Sequence, residues 1–519
     1  MSADAQRNHH GLRRPLSGSA LVGVAALLVT VLTLLPIGVV VVRAADAGWA
    51  TAVEALVRPR VGELIRHTLA LVAITVPATA VLGVGAAWLV ERTDLPLSRT
   101  WRALLLAPLT VPAFVNGYAW ISLVPGLHGL LGAAIVTTLS YFPFVFLPVA
   151  AVIRGLDGGA EDSARALGLG AGATFARVVL PQLRPALSGG LLLVGLHLLA
   201  EYGVLEMMRY STFTTAILEQ YQLGFSNDTG SLFACVLIVL CLTFLGVEWL
   251  LRGNARVARY GRGTLRRPEP ARLGAWTVPS LLALTSLIVL ALGVPLASVG
   301  RWLVTGWSAI DWASVGRTGS ATLGLALAAA ALTTLAALPA AWLLVRRRTL
   351  LAMALERATY LASSLPGVVV ALALVTLTVR TIQPLYQSAA LLVLAYAILF
   401  IPRAMVSVRA GLAQAPPELS ESARSLGLGP RATFRRVVLP LAGPGALAGA
   451  GLVFIAVSTE LTATLILAPT GTRTLATQFW AASDELDYVA AAPFAAAMVL
   501  VSLPLTLALL RQINQEGDS

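Results

Sequence analysis

The chain has 519 residues, of which 57% are hydrophobic and only 12% charged, with a formal net charge of +12. A soluble domain carries about twice that charge, so a soluble globular class is excluded and a membrane class is the starting point. All 37 basic residues are arginines, which rules out a Walker-type phosphate loop or a Schiff-base lysine, since both need a lysine.

A bilayer core about 30 Å thick needs roughly 20 apolar residues in a helix. In chain order, residues 19–42, 67–90, 103–124, 130–152, 188–208 and 231–251 meet this requirement. A basic linker follows, and then 276–299, 320–345, 358–379, 388–408, 445–467 and 489–510. The first segment follows Arg7, Arg13 and Arg14 and is longer than the apolar region of a signal peptide, so it reads as a retained helix. Pro143, Pro148 and Pro402 fall inside segments, where neighbouring helices can re-satisfy the backbone. Cys235 and Cys241 share one apolar stretch and read as packing residues, with no disulfide framework or metal-ligand spacing. Trp49, Trp88, Trp101, Trp302, Trp307 and Trp312 lie near segment ends and read as interfacial anchors. Glu248 and Arg403 also lie near ends and are expected to snorkel or pair locally.

The arginines sit in short loops rather than in one patch, which argues against nucleic acid and for topology signals. With both termini cytoplasmic, 28 of the 37 fall on the cytoplasmic side of twelve spans. The chain is also an internal duplication. Residues 163–181 read SARALGLGAGATFARVVLP and residues 422–440 read SARSLGLGPRATFRRVVLP, with fifteen of 19 positions identical at an offset of 259. Six spans separate the copies, so the repeats are parallel and both motifs face the same side. The expected fold is an all-α integral membrane protein of about twelve transmembrane helices in two parallel six-helix repeats. The repeats are 1–251 and 276–519, joined by a cytoplasmic linker at 252–275.

Each repeated loop follows one grammar. An acidic residue, Asp162 or Glu421, is followed six positions later by Gly168 or Gly427 and ends at Leu180-Pro181 or Leu439-Pro440. The glycine can end a helix in the left-handed conformation, and a second short helix, 173–180 or 432–439, is expected to stop at the Leu-Pro pair. Asp162-Ser163-Ala164, Gly168, Val178 and Leu180-Pro181, with Glu421-Ser422-Ala423, Gly427, Val437 and Leu439-Pro440, resemble the signature of permease subunits of binding-protein-dependent ABC importers. That signature is Glu-Ala-Ala, three residues, Gly, nine residues, Ile, one residue, Leu-Pro. The departures are Asp for Glu in the first copy, Ser for the first Ala and Val for Ile in both. The resemblance implies that these loops are coupling helices docked on two copies of a separate ATPase that binds ATP and Mg. It also implies a periplasmic or lipid-anchored substrate-binding protein as partner, and a bacterial inner-membrane location. No cofactor is expected in this chain, and no metal site is assigned.

The stretches Leu199-Ala200-Glu201-Tyr202-Gly203, Thr214-Thr215-Ala216-Ile217 and Ser458-Thr459-Glu460 look like the ferric-iron branch of that family, with thiamine and polyamine permeases sharing much of the pattern. Glu201 and Glu460 are equivalent at the offset of 259 and lie at apolar-helix depth. A carboxylate there usually faces a cavity or a partner. One reading has the two line a path for a cationic cargo, with His197 as neighbour; the other has each cap or pair within its own bundle. A secondary transporter with parallel repeats is the competing class. It would need neither the repeated docking motif nor an adjacent ATPase. A membrane enzyme lacks support, because the five histidines are scattered and no catalytic cluster is present.

Overall fold

A computed structural model describes residues 16–156, 158–222, 227–252, 270–346, 354, 355, 357–359, 361 and 364–518. Arg7, Arg13 and Arg14, most of the expected linker, Arg347 and Arg348, and residues 360, 362 and 363 of the expected span 358–379 lie outside the described residues. The first half contains α1 (Leu16–Asp46), α2 (Pro59–Arg92), α3 (Ala113–Leu123), α4 (Gly129–Arg154) and α5 (Gly159–Ala166). It continues with α6 (Leu180–Ala200), α7 (Gly203–Met207), α8 (Phe213–Gln222) and α9 (Asn227–Arg252). The second half contains α10 (Gly274–Thr305), α11 (Trp312–Arg346), α12 (Gly367–Thr381), α13 (Ala389–Ala413) and α14 (Pro417–Ser425). It ends with α15 (Leu439–Ser458), α16 (Thr462–Leu467), α17 (Leu475–Asp484) and α18 (Tyr488–Asp518). Among the described residues the regular structure is helical, as expected where lipid offers the backbone no hydrogen-bond partner.

Nine helices among the described residues are long and apolar enough to cross a membrane. A tenth span is broken: Ser98–Thr110 and Ala113–Leu123 meet at 90°. The continuous helix expected over 103–124 is therefore corrected. The break falls at Val111-Pro112, where proline removes a donor and disfavours helix for the residue before it. Gly367–Thr381 and Tyr488–Pro504 are shorter apolar helices. The spans expected at 188–208 and 445–467 are also interrupted. Helix α6 stops at Ala200 and α15 at Ser458, each followed by a short helix set off by Glu201-Tyr202 or by 459–461.

Helices α2, α4 and α6 form one packed group, and α11, α13 and α15 its counterpart. Each group depends on a small residue at a close crossing. A Cβ on Gly190 of α6 would lie 2.9 Å from the Phe144 carbonyl oxygen, and one on its equivalent Gly449 3.2 Å from the Ser407 Cβ. Close backbone approach is how membrane helices gain packing energy when lipid is as apolar as their side chains. The lipid-facing sides carry Val24, Leu28, Val81, Leu327 and Leu335, all more than half exposed.

The sequence halves are not separate packing units. Helix α1 packs against α11 and α12 of the second half, and α10 packs against α3 of the first. Ser122 and Ser298 share a 2.7 Å hydrogen bond across this seam, and the Tyr118 hydroxyl donates to the Tyr488 carbonyl at 2.6 Å. One buried apolar cluster accordingly contains Val115 and Phe213 together with Val369, Tyr396 and Phe479.

Candidate functional site

The duplicated motif forms two matching helix–turn–helix loops. Helix α5 ends at Gly168 with φ +85° and α14 at Gly427 with φ +88°. In the first, the Leu169 amide donates to the Ala164 carbonyl at 3.1 Å and the Gly168 amide to the Arg165 carbonyl at 2.9 Å. In the second, Leu428 donates to Ala423 at 3.1 Å and Gly427 to Arg424 at 2.9 Å. This paired closure is a Schellman motif, which needs a residue in the left-handed region. Ala164 and Ala423 are buried against the protein, while Asp162, Ser163, Glu421 and Ser422 are exposed. Leu167 and Leu426, just before the glycines, are 85% and 83% exposed, leaving an apolar tip on each loop.

The second short helix does not stop at Leu-Pro. It runs through a π turn, Phe175–Val179 or Phe434–Val438, straight into α6 or α15. The physical reason lies in Pro181 and Pro440. A proline clashes with the carbonyl four residues back, and the wider turn just before it accommodates the ring without ending the helix. Thus each loop is a rigid extension of a membrane span. The residues that bury its inner face are Val179 and Val438 rather than the motif positions Val178 and Val437.

The motif alone does not reveal what braces the loops. Arg92, at the end of α2, makes a buried ion pair with Glu161, the neighbour of Asp162. Arg346, the equivalent at the end of α11, instead donates to Ser420 at 3.2 Å and to the Ala415 carbonyl at 3.3 Å. Each arginine also lies over a tryptophan one turn back, Trp88 at 5.7 Å and Trp342 at 4.6 Å. Those tryptophans touch the π turns: Trp88 meets Phe175 edge-on at 4.8 Å and Trp342 lies 6.4 Å from Phe434. Trp88 is therefore an internal joint and not simply an interfacial anchor. The repeated Trp-x-x-x-Arg at an offset of 254 is the sequence signal that would have found it. The last part of the linker joins the brace of the first loop too, since the Ala271 amide donates to the Arg92 carbonyl at 2.8 Å.

Away from the loops, the two interrupted spans meet between the halves. Glu201 follows the last turn of α6, and its Oε1 accepts from the Val204 amide at 3.0 Å, capping α7. Glu460 does the same for α16 through the Ala463 amide at 2.9 Å. Each glutamate thus caps a short helix, as the second reading expects. Tyr202 packs on Trp480 at 5.1 Å and Phe114 on Phe479 at 5.4 Å, so aromatic contacts across the halves surround the breaks. The Tyr141 hydroxyl donates to Glu201 Oε2. His197 lies beside Phe144 at 4.6 Å and Tyr141 at 5.6 Å, with Nδ1 hydrogen-bonded to the Leu193 carbonyl at 2.7 Å. Among the described residues no group of three His, Cys, Asp or Glu could hold a metal ion.

Arg403 is not at a span end. It lies on α13 with about 21 Å of helix on one side and about 15 Å on the other. Its side chain is exposed, stacks 5.1 Å over the Phe400 ring, and interacts electrostatically with Glu460 of its own half and His197 of the other. Glu248 does pair locally, accepting from Ser188 at 3.1 Å.

The family model described as "Binding-protein-dependent transport system inner membrane component" matches the chain twice, over residues 79–256 and 333–513. The Fe(3+)-transport system permease protein FbpB 2 of Haemophilus influenzae is 35% identical over 474 residues, covering 90% of this chain and 93% of that protein. The sulfate transport system permease protein CysT of Escherichia coli is 28% identical over 271 residues, covering 48% of this chain and 96% of that protein. CysW of Synechococcus elongatus, named for the same transport, is 26% identical over 245 residues, covering 42% and 85%.

Proposed function

This chain belongs to the inner-membrane components of binding-protein-dependent transport systems, and on that premise we propose that it is the fused, two-repeat permease of an ATP-driven ferric-iron importer. The observation that carries the cargo is the match to a ferric-iron permease along nearly the full length of both chains. The sulfate permeases named above match under half of this chain.

The family makes the chain a multi-pass membrane subunit that works with a substrate-binding protein and an ATPase. We assign ATP and Mg to the partner, because the all-arginine chain has no lysine for a phosphate loop. Two ATPase copies follow from two loops, one copy per loop. Asp162, Ser163, Ala164, Gly168, Leu180 and Pro181, with Glu421, Ser422, Ala423, Gly427, Leu439 and Pro440, form the coupling elements. The loops, the linker and both termini are cytoplasmic in this reading. A push on either loop passes through the unbroken helix into α6 or α15, at whose far ends stand Glu201 and Glu460. The motor contact and the cargo contact are therefore two ends of one rod in each half. Glu201, Glu460 and His197 line the translocation path, which alternating rotation of the rods opens to one side or the other.

Proteoliposomes holding the permease with its ATPase and loaded binding protein should accumulate radiolabelled ferric iron only when ATP is present. Uptake without ATP would reject the importer, and uptake of sulfate in place of iron would reject the cargo.

A further inference from the structure

The contact between α1 of the first half and α12 of the second leaves a groove. Its volume is about 530 Å³, and it is lined on α1 by Val31, Leu34, Gly38 and Arg43 and on α12 by Leu377 and Arg380, among others. Val31 is 58% exposed, and a Cβ on Gly38 would meet nothing within 4 Å, so the missing side chain leaves the groove open along its middle. The lining is apolar except at one end, where Arg43 and Arg380 border the same cavity, one from each half. Arg43 reaches Asp46 at 3.4 Å, while Arg380 is exposed and makes no ion pair among the described residues. No acidic residue lines the groove among the described residues, so two guanidiniums against one carboxylate leave that end net positive. Both arginines also run against the topology bias, since they are in the minority left outside when 28 of the 37 are cytoplasmic.

The dimensions select an occupant. Val31 is the middle residue of α1, and Arg43 lies twelve positions further along the same helix. That separation is about 18 Å, and half of a bilayer core is about 15 Å. The groove therefore follows one leaflet from its midplane to its polar surface. An acyl chain gains packing in such a slot, and a headgroup phosphate at its end meets guanidinium forks that match paired oxygens. Basic pockets between membrane helices recognise anionic headgroups in this way. We propose that the groove is a specific site for an anionic phospholipid, with its acyl chain along α1 and its phosphate shared by Arg43 and Arg380. The lipid then ties the two halves together away from the coupling loops. The end of α1 that carries Arg43 leads to the start of α2, whereas the far end of that 34-residue helix holds Arg92, which braces a loop. With the loops cytoplasmic the site lies in the outer leaflet, and it does not depend on the cargo.

Native mass spectrometry of the purified chain, incubated with phosphatidylglycerol or with phosphatidylethanolamine, tests this. One phosphatidylglycerol should stay bound under activation that removes phosphatidylethanolamine. Arg43→Gln combined with Arg380→Gln should lower its retention about tenfold or more, and Arg43→Lys combined with Arg380→Lys should keep part of it. Gly38→Leu fills the groove and should displace the lipid with both arginines intact. Gly23→Leu, on the same helix with equally open space but outside the groove, should not. Inorganic phosphate should not compete, because it lacks the chain. Equal retention of the two lipids would overturn the proposal in an assay that needs no variant to fold. Unchanged retention in the double glutamine variant or in Gly38→Leu would overturn it as well, leaving bulk annular lipid only. Competition by inorganic phosphate would overturn the part assigned to the apolar groove.

Discussion

The two coupling loops share a backbone and differ in what holds them. In the first half a buried ion pair, Arg92 with Glu161, ties the loop to α2, and Trp88 lies close on Phe175. In the second half Arg346 reaches a serine hydroxyl and a carbonyl, and Trp342 stands 6.4 Å from Phe434. The helix end, the left-handed glycine and the π turn are preserved in both. A duplicated gene can therefore keep the shape that a partner must grip while the brace behind it drifts between ionic and neutral hydrogen bonding.

The strongest way to break that comparison is to remove the brace on each side. Glu161→Gln strands a buried arginine and should cost about 3–5 kcal/mol, whereas Ser420→Ala removes one of two acceptors and should cost about 1 kcal/mol. Thermal unfolding of the purified chain, with limited proteolysis of each loop, would read the difference. Equal costs would mean the ion pair is no stronger a brace than the serine.

The helix crossings sharpen the same contrast at smaller scale. Gly190→Ala forces a Cβ to 2.9 Å from a backbone oxygen and 3.0 Å from a backbone carbon. Overpacking of this kind costs about 1–3 kcal/mol. Gly449→Ala meets the Ser407 Cβ at 3.2 Å and the Ala404 carbonyl oxygen at 3.3 Å, looser approaches than those at Gly190, and should cost less. The melting temperatures of the two variants should fall in that order. Gly168→Ala and Gly427→Ala test where the halves agree: each places a Cβ at positive φ for about 1–2 kcal/mol, with no neighbour within 4 Å in either loop. The two should lose equal stability and equal coupling of ATP hydrolysis to uptake. The smallest effect expected is from Tyr396→Phe, about 0.5–1.5 kcal/mol with iron uptake unchanged, because Tyr396 bonds Thr464 and not Glu460. A loss of uptake there would show that Tyr396 acts on Glu460 as Tyr141 does on Glu201.

Much of this was legible before any fold was seen. The apolar runs, the loop motif and its second copy are local signals, and local signals survive in one dimension. Glu201 and Glu460 stood out because a carboxylate inside an apolar run is costly. What went unread was non-local or one position off. Glu161 adjoins the motif acid and is buried while Asp162 is exposed, a difference of helix face that the motif does not encode. Arg403 counted as a span-end residue because hydropathy windows do not see that α13 continues five residues beyond the apolar run, to Ala413. The interruptions at Glu201 and Glu460 were hidden because an apolar segment reads the same whether it is one helix or two.

The sequence by itself determined that the chain lives in a bilayer, that it is built twice, and that each copy presents an acidic, glycine-closed loop on the same side. Those properties follow from composition, periodicity and spacing, which need no partner to be expressed. Only the tertiary structure decided that α1 and α10 each lie against the opposite half, that the loops continue unbroken into spans, and that Glu201 and Glu460 each cap a short helix after a broken span. The reason is that in lipid, where apolar surface gains nothing by leaving the solvent, helix partners are chosen by close backbone approach and a few buried polar contacts. Which residues those bring together depends on every helix at once.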